Sequence, residues 1–197
     1  LIDSGVRTFQ PPHDKNKKSL AKIRGDRRRA RLTGRRKTKR MKRFVSLAKE
    51  FGLIEPNISF KQACRKMIPP ANTDKIKWSP WNIRKEALSR KLSNEELFRA
   101  LYHIARHRGF SFLTKAEETE KPSGSSDEGK VKKGLQNIRE QLKESRCQTV
   151  GEMFAVKFLE AENVRLRNYE NDYTNSIHRN LLKDETQIIF EKQRALG

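Results

Sequence analysis

Residues 20–51, LAKIRGDRRRARLTGRRKTKRMKRFVSLAKEF, decide the fold of this chain. Apolar or small residues recur along this stretch at spacings of three and four, which places them on one face of a helix. Those residues are Leu20, Ile23, Ala30, Gly34, Met41, Phe44, Val45, Ala48 and Phe51. Ser19 is a favourable N-cap and Gly52 a natural C-terminal stop. The pattern therefore predicts one helix of about 50 Å, at 1.5 Å per residue.

A second stripe on the same helix is cationic and has the same spacing. It consists of Arg24, Arg28, Arg31, Arg35, Lys39 and Lys42. Residues 15–43 hold sixteen Lys or Arg and one acid, Asp26, so they supply most of the formal net charge of +21. No protein core holds this density of charge, because each buried unpaired charge costs several kcal/mol. A nucleic-acid backbone is the natural counter-charge.

Arginine suits this role because it makes bidentate contacts to phosphate and its charge does not titrate away. Helical arginines three or four residues apart give a line of contacts about 5–6 Å apart. Base-specific recognition is not expected, since the major groove of duplex RNA is deep and narrow. The alternative, a solvated cationic helix without a partner, is disfavoured because its like charges would only repel.

Composition narrows the class of protein. The chain has 197 residues, of which 34% are hydrophobic and 35% charged, and a pI of about 10.3. This balance favours nucleic acid over an acidic membrane as the partner. No apolar run of spanning length and no signal-peptide pattern is present, so we expect a cytoplasmic protein. Cys64 and Cys147 lie in no paired spacing, and we expect both to be small, half-buried and reduced.

The rest of the chain predicts further helices. Residues 1–9, LIDSGVRTF, alternate like a short β-strand, and everything after them predicts an all-α fold. Proline-interrupted residues precede a helix over residues 82–92, and a short helix is expected over residues 60–67. Ser93 and Glu96 form a capping box for the next helix. Trp78 and Trp81 are expected to anchor this region to a core.

The C-terminal part predicts a polar loop and then three helices. Residues 114–134 are polar, with Pro, Ser and Gly at their centre, and predict a flexible loop. Thr149 and Glu152 form a second capping box. The side chains expected to pack inward are Phe154, Phe158 and Leu159. The apolar residues of the other two helices are Leu135, Ile138, Leu142, Leu181, Leu182, Ile188, Ile189 and Phe190.

Four histidines are candidates for chemistry. His103 and His107 have the i, i+4 spacing of zinc ligands, but no Glu follows His103 and no third ligand is evident. A role in packing or in facing RNA is therefore preferred. His13 and His178 are isolated, and we expect them to be exposed.

The sequence Arg108-Gly109-Phe110 supports two interpretations. Gly109 is either a helix C-cap, or the point where the backbone approaches RNA while Arg108 binds phosphate. Both interpretations stay open.

Three segments together resemble one family. They are residues 19–54 preceded by LIDSGVRTF, residues 81–110 (WNIRKEALSRKLSNEELFRALYHIARHRGF) and residues 165–193 (RLRNYENDYTNSIHRNLLKDETQIIFEKQ). In this order they resemble the RNA-guided type II CRISPR effector endonucleases, the Cas nine family. A basic helix alone is weak evidence, because ribosomal proteins also have basic helices, whereas the ordered combination is specific.

The resemblance implies a division of the chain. Residues 1–14 would end the first RuvC-like nuclease segment, and residues 15–54 would be the arginine-rich bridge helix. Residues 55–113 and 135–197 would be two helical parts of the recognition lobe, separated by the loop 114–134. The implied partners are guide RNA (crRNA and tracrRNA) and, in the full protein, target DNA paired with the guide. The implied role is antiviral defence.

The resemblance also implies a set of RNA-binding residues. They are Arg24, Arg27, Arg28, Arg31, Arg35, Arg36, Lys39, Arg40, Lys42, Arg43, His103, His107, Arg108, Gly109 and Arg167. The family's catalytic Asp would lie upstream of LIDSGVRTF, so Asp3 does not take that role. The parent would be a Mg²⁺-dependent endonuclease, and this segment, which holds no nuclease residues or cofactor, is expected to be inactive alone.

Two alternative functions remain. The first is a ribosomal or other ribonucleoprotein protein, which would bind a structured RNA unrelated to CRISPR repeats. The second is a basic module bound by an acidic inhibitor, such as an anti-CRISPR protein. A basic leucine zipper is excluded, because Gly52 and Pro56 stop the helix where leucine heptads would have to follow.

Overall fold

A computed structural model of the protein describes residues 19–71, 74–111, 127–160, 168 and 172–197. Within these ranges the chain is mostly helical and contains no strand, as the sequence predicts for them. The helices are α1 (Leu20–Glu50), α2 (Phe60–Arg65), α3 (Lys75–Trp78), α4 (Pro80–Glu86), α5 (Asn94–Arg106), α6 (Asp127–Glu144), α7 (Val150–Glu160) and α8 (Arg179–Ala195). The predicted N-terminal strand lies outside the described residues.

The long basic helix is confirmed. α1 spans 31 residues, Leu20–Glu50, and Gly52 beyond it has a φ of +66°. This left-handed conformation lets the amide of Leu53 donate to the carbonyl of Ala48 at 2.8 Å, which satisfies one of the last carbonyls of the helix. The chain divides into two compact units, residues 1–40 and residues 41–197.

The described part of the first unit is the highly charged portion of α1. Almost every side chain from Ala21 to Lys39 is exposed, and only Ile23 and Gly25 are half-buried. The stability of this portion therefore depends on its own hydrogen bonds, because it buries little apolar surface.

In the second unit, a first hydrophobic cluster joins the end of α1 to α2 and α5. Its buried members are Met41, Val45, Ala48, Ile54, Ala63, Phe98 and Tyr102. The ring centroid of Phe44 lies 5.6 Å from that of Phe98 and 6.0 Å from that of Tyr102. The apolar stripe of the helix is therefore a core face from Met41 to Ala48.

Two more clusters complete the core of the second unit. The second, formed by α4, α5 and α8, contains Ile83, Ala87, Leu92, Ala100, Ile104, Leu182 and Ile189. The third, from α6 and α7, contains Ile138, Val150, Met153 and Phe154. Trp81 packs on this third cluster with its ring centroid 4.8 Å from that of Phe154, which confirms its predicted anchoring role. Leu159 is exposed, so its predicted inward packing is wrong.

The predicted flexible loop is wrong over residues 127–134, because α6 begins at Asp127. Gly134, the last residue of the predicted loop, lies inside α6 and serves helix packing. A Cβ at this position would lie 1.9 Å from the carbonyl oxygen of Tyr173, so only glycine permits this close approach. Residues 114–126 lie outside the described residues.

The helix predicted over residues 82–92 begins earlier and is shorter. α4 begins at Pro80, where the fixed φ of proline suits the first helical position, and ends at Glu86. The amide of Leu88 donates to the carbonyl of Lys85 at 3.1 Å, so the chain tightens into a turn. The short helix predicted over residues 60–67 is confirmed as Phe60–Arg65.

Two of the predicted helix caps behave differently. The Ser93–Glu96 capping box is confirmed in full. At α7, the Oγ1 of Thr149 accepts the amide of Glu152 at 3.1 Å, but the Glu152 carboxylate accepts the amide of Gln148 at 2.8 Å instead of that of Thr149. The second box is therefore only half of the predicted motif.

Candidate nucleic-acid interface

The charge on α1 in the first unit is almost entirely positive. Residues 20–40 carry eleven Lys or Arg and one acid, Asp26. Asp26 accepts a hydrogen bond from Arg29, and both side chains are largely exposed. Because one acid cannot neutralise eleven cations, most of this charge has no counter-charge within the helix.

The cations form two stripes at different angles around the helix axis. Each residue of an α-helix advances by about 100°, since one turn takes 3.6 residues. The first stripe is Arg24, Arg28, Arg31, Arg35 and Lys39. The second stripe is Lys22, Arg29, Arg36 and Arg40. Their centres are about 120° apart, so the two stripes face different directions.

A third face of the same helix is poor in charge. Ile23, Ala30 and Gly34 lie on it, and Arg27 and Lys37 border it. A Cβ on Gly25 or on Gly34 would meet no atom within 4 Å, so neither glycine is needed for packing inside the described chain. Both weaken the helix by about 1 kcal/mol relative to alanine. Gly34 leaves room for an external backbone to approach this third face closely, whereas Gly25 lies between the two cationic stripes.

Lys42 and Arg43 belong to the second unit and are exposed there. Two other cations of this unit, Arg90 and Lys66, form ion pairs with nearby acids. Arg90 donates to Glu96 at 2.6 Å, and this contact lowers the pKa of the Glu96 carboxyl to about 2. Lys66 donates to Glu95 at 2.5 Å and to Glu55 at 3.2 Å, which raises the pKa of its ammonium group. Arg90 and Lys66 therefore pair with acids of their own unit, in contrast to most cations of residues 20–40.

His103 is buried and lies inside the second unit. It is 7% exposed, and its Nδ1 accepts a hydrogen bond from Nη1 of Arg84 at 3.1 Å. Its ring centroid lies 4.7 Å from that of Trp81 and 4.9 Å from that of His107. Of the two roles left open for His103, this environment favours packing over contact with RNA. His107 is exposed at the end of α5.

The residues after His107 are held by backbone contacts. Gly109 has a φ of +71°, and a Cβ on it would lie 2.7 Å from the carbonyl oxygen of Ile177. Phe110 pairs with the chain before α8: its amide donates to Ile177 at 2.9 Å, and its carbonyl accepts the amide of Arg179 at 2.7 Å. Gly109 is therefore required for an internal close approach. Arg108 beside it is exposed, and Arg167 lies outside the described residues.

Sequence reasoning missed a buried ion pair at the centre of the second unit. Arg84 and Glu185 have side chains that are 1% and 0% exposed. Nε and Nη2 of Arg84 donate to the two carboxylate oxygens of Glu185 at 2.7 and 2.5 Å. The guanidinium carbon lies 4.4 Å from the ring centroid of Trp81. The pair links α4 to α8.

Helix α7 approaches this ion pair through a glycine. The amide of Gly151 donates to Glu185 at 3.1 Å, and a Cβ on Gly151 would lie 2.2 Å from that carboxylate. One sequence signal was available, because Glu185 lies three residues after Leu182 and four before Ile189, on the buried stripe of α8. A charged residue on such a stripe indicates a buried partner.

His178 is a second polar residue of the core. It was expected to be exposed, but it is 4% exposed, and its Nδ1 accepts the amide of Asn180 at 3.2 Å as the N-cap of α8. The expectation was therefore wrong, because the ring satisfies a backbone donor that the helix leaves unpaired. His13 lies outside the described residues. In the part of the chain that the structure describes, no three His, Cys, Asp or Glu side chains are grouped to hold a metal ion.

Comparison with known proteins identifies the relatives of this chain. No protein-family model matches the sequence. It is 31% identical over 206 residues to the CRISPR-associated endonuclease Cas9 of Campylobacter jejuni, a match that covers 100% of this chain and 20% of that protein. It is also 31% identical over 131 residues to the CRISPR-associated endonuclease Cas9 1 of Streptococcus thermophilus, covering 66% of this chain and 10% of that protein.

A solved structure has the same fold. A crystal structure of Campylobacter jejuni Cas9 in complex with sgRNA and target DNA matches with a TM-score of 0.70 and 27% identity, over 94% of this chain and 23% of that one. These relatives define the class of protein, the CRISPR-associated endonucleases. The chain belongs to the Cas9 family as a homologue of one segment, and it spans about a fifth of the length of the relatives that it matches.

Two structural findings accompany this identification. Among the described helices, none is long and apolar enough to cross a membrane. The family resemblance implies Mg²⁺, but the described residues contain no cluster of acidic side chains that could hold this ion. We therefore assign no catalytic step to the described residues.

Proposed function

We propose that α1 is the arginine-rich bridge helix of an RNA-guided endonuclease and that residues 55–197 begin its helical recognition lobe. In this role the segment holds guide RNA, in the form of crRNA and tracrRNA, and the duplex of guide with target DNA. It contributes to antiviral defence as a binding element, while the nuclease chemistry belongs to other parts of the polypeptide.

The observation that carries the proposal is the excess of positive charge on residues 20–40 of α1. Eleven cations and one acid lie on residues 20–40. Their side chains are almost all exposed, so they contribute to no core. A polyanion that binds along the helix relieves the repulsion between these cations and gains charge-assisted hydrogen bonds to arginine.

The two stripes specify how the helix binds. Because their centres are about 120° apart, one narrow strand cannot contact both at once, given a helix diameter of about 10–12 Å. We propose that Arg24, Arg28, Arg31, Arg35 and Lys39 follow one phosphate backbone. Arg36 and Arg40 contact a second backbone on another side, and Arg27 lies beside the third face, where Gly34 permits close approach.

The second unit supplies further contacts of the same kind. Lys42, Arg43, His107 and Arg108 are exposed and stay in the proposed RNA-binding set. Gly109 is not proposed to contact RNA itself. Its backbone conformation sets the direction of the chain next to Arg108 and so positions that side chain. His103 is not included, because it is buried against Arg84 and Trp81.

The proposal is tested by the salt dependence of binding. The five first-stripe cations are replaced by glutamine, and the affinity for a crRNA–tracrRNA guide is measured between 50 and 200 mM salt. Each phosphate contact contributes about 0.7–0.9 to the slope of log affinity against log salt. Loss of five contacts therefore reduces the slope by about 3.5–4.5.

A matched control separates local contacts from net charge. The control variant replaces five exposed cations of the second unit by glutamine, namely Lys61, Arg65, Lys143, Lys183 and Lys192. Both variants lose the same formal charge. The proposal expects the control to keep nearly all of its slope, and equal loss of slope in the two variants would refute it.

A further inference from the structure

The second unit contains an open apolar groove between the end of α1, helix α5 and helix α8. Its volume is about 560 Å³. Residues that line it include Leu47, Phe51, Leu97, Leu101, Ile104 and Phe190. Thr186 is the polar residue of this lining within the described part of the chain. The groove therefore suits large apolar side chains and offers no charged group to bind a phosphate or a metal ion.

Three side chains of the groove are exposed to an unusual extent. Leu47 is 51% exposed, Phe51 74% and Phe190 50%. They come from α1, from the residue that follows it, and from α8, so elements distant in sequence converge on one apolar surface. A contiguous exposed surface of this kind marks an interaction site, whereas isolated exposed apolar residues do not.

The properties of the chain disfavour two possible occupants. A second copy of this chain also carries a net charge of +21, so self-association is opposed by electrostatic repulsion. Nucleic acid gains little from the groove, because its backbone needs donors and cations that the apolar lining does not offer.

We propose that the groove is the docking site of an amphipathic helix from the remainder of the endonuclease polypeptide. The matched relatives are about five times as long as this chain, which spans 20% of the Campylobacter jejuni protein. The occupant presents large apolar side chains at positions i, i+3 or i+4, and i+7, as helices do when they bind in a groove. The inference rests on family membership and is independent of how α1 binds RNA.

Binding in trans tests the inference. The probe is the part of Campylobacter jejuni Cas9 outside the matched region, produced as a separate polypeptide and added to this chain without nucleic acid. We expect Leu47→Asp and Phe190→Asp each to weaken this binding at least tenfold, because an aspartate in the groove leaves a charge desolvated without a partner. Ile68→Asp is the matched control, since Ile68 is 65% exposed and does not line the groove.

Chemical labelling gives a second measurement. A Phe190→Cys variant is labelled with a maleimide, and we expect the probe to slow labelling at least fivefold, whereas labelling of an Ile68→Cys variant keeps its rate. Absence of binding by the unsubstituted chain would overturn the inference, as would equal losses in the groove and control variants. Self-association abolished by the groove substitutions would assign the groove to a second copy. The guide-RNA affinity of the groove variants is expected to be unchanged, so failure here leaves the RNA-binding proposal standing.

Discussion

Replacing Glu185 by leucine leaves the Arg84 guanidinium buried without its carboxylate. The two side chains are 1% and 0% exposed and share hydrogen bonds of 2.7 and 2.5 Å. Removing one partner of such a pair costs about 3–5 kcal/mol, because the remaining charge stays desolvated. The amide of Gly151 also loses its acceptor, so the upper part of this range is expected.

The assay is urea unfolding followed by tryptophan fluorescence. Trp81 reports on this site, since the Arg84 guanidinium carbon lies 4.4 Å from the centroid of its ring. With a slope of about 2 kcal/mol per molar urea, a loss of about 4 kcal/mol lowers the unfolding midpoint by about 2 M. The double variant Arg84→Met, Glu185→Leu removes both charges and should recover most of this loss.

An exposed ion pair provides the comparison. Glu55 contacts Lys66 at 3.2 Å and is largely exposed, so Glu55→Gln should change the stability of the chain very little. A Glu185→Leu cost as small as that of Glu55→Gln would refute the reasoning. A double variant that is less stable than Glu185→Leu alone would also refute the reasoning. In that case the Arg84 charge left behind in Glu185→Leu would not be isolated from water.

Three further predictions concern single positions. Gly34→Ala should stabilise α1 by about 1 kcal/mol and raise its helical circular dichroism. It should also weaken guide-RNA binding, because the added methyl group obstructs a backbone that approaches the helix at Gly34. Unchanged binding would exclude this close approach. Gly109→Ala should cost about 1–3 kcal/mol in thermal unfolding, because φ is +71° and the new Cβ would lie 2.7 Å from the carbonyl oxygen of Ile177. The Glu96 carboxyl has a pKa lowered to about 2 beside Arg90, so its contribution is present above its unfolded pKa and is lost as pH falls towards 2. Glu96→Gln should therefore cost about 1 kcal/mol at pH 7 and progressively less as pH falls through about 2, and a cost independent of pH would contradict this assignment.

The sequence predicted the features that depend on local pattern. The limits of α1 follow from Ser19 and Gly52, and the start of α5 from the Ser93–Glu96 capping box, because helix ends are decided by nearby residues. The exposure of the cations on residues 20–40 follows equally from the cost of burying charge. These signals need no knowledge of the tertiary structure.

Features that depend on distant contacts were not predictable in this way. Gly134 lies in a helix because it packs against the backbone of Tyr173, although glycine in a polar segment indicates a loop. The Arg84–Glu185 pair joins residues 101 positions apart, and His178 is buried because it caps a helix. In each case a tertiary contact overrides the preference of the residue, and a single sequence does not reveal its partner.

We propose above all that α1 recognises guide RNA specifically, and does not merely attract any RNA through its positive charge. The most direct test of this claim is the affinity of the unsubstituted chain for a crRNA–tracrRNA guide and for an unrelated structured RNA of equal length, both at physiological salt. We predict a clear preference for the guide that disappears when Arg24, Arg28, Arg31 and Arg35 are replaced by glutamine. Equal affinity for the two RNAs would contradict the claim and would favour a general ribonucleoprotein role for this basic helix.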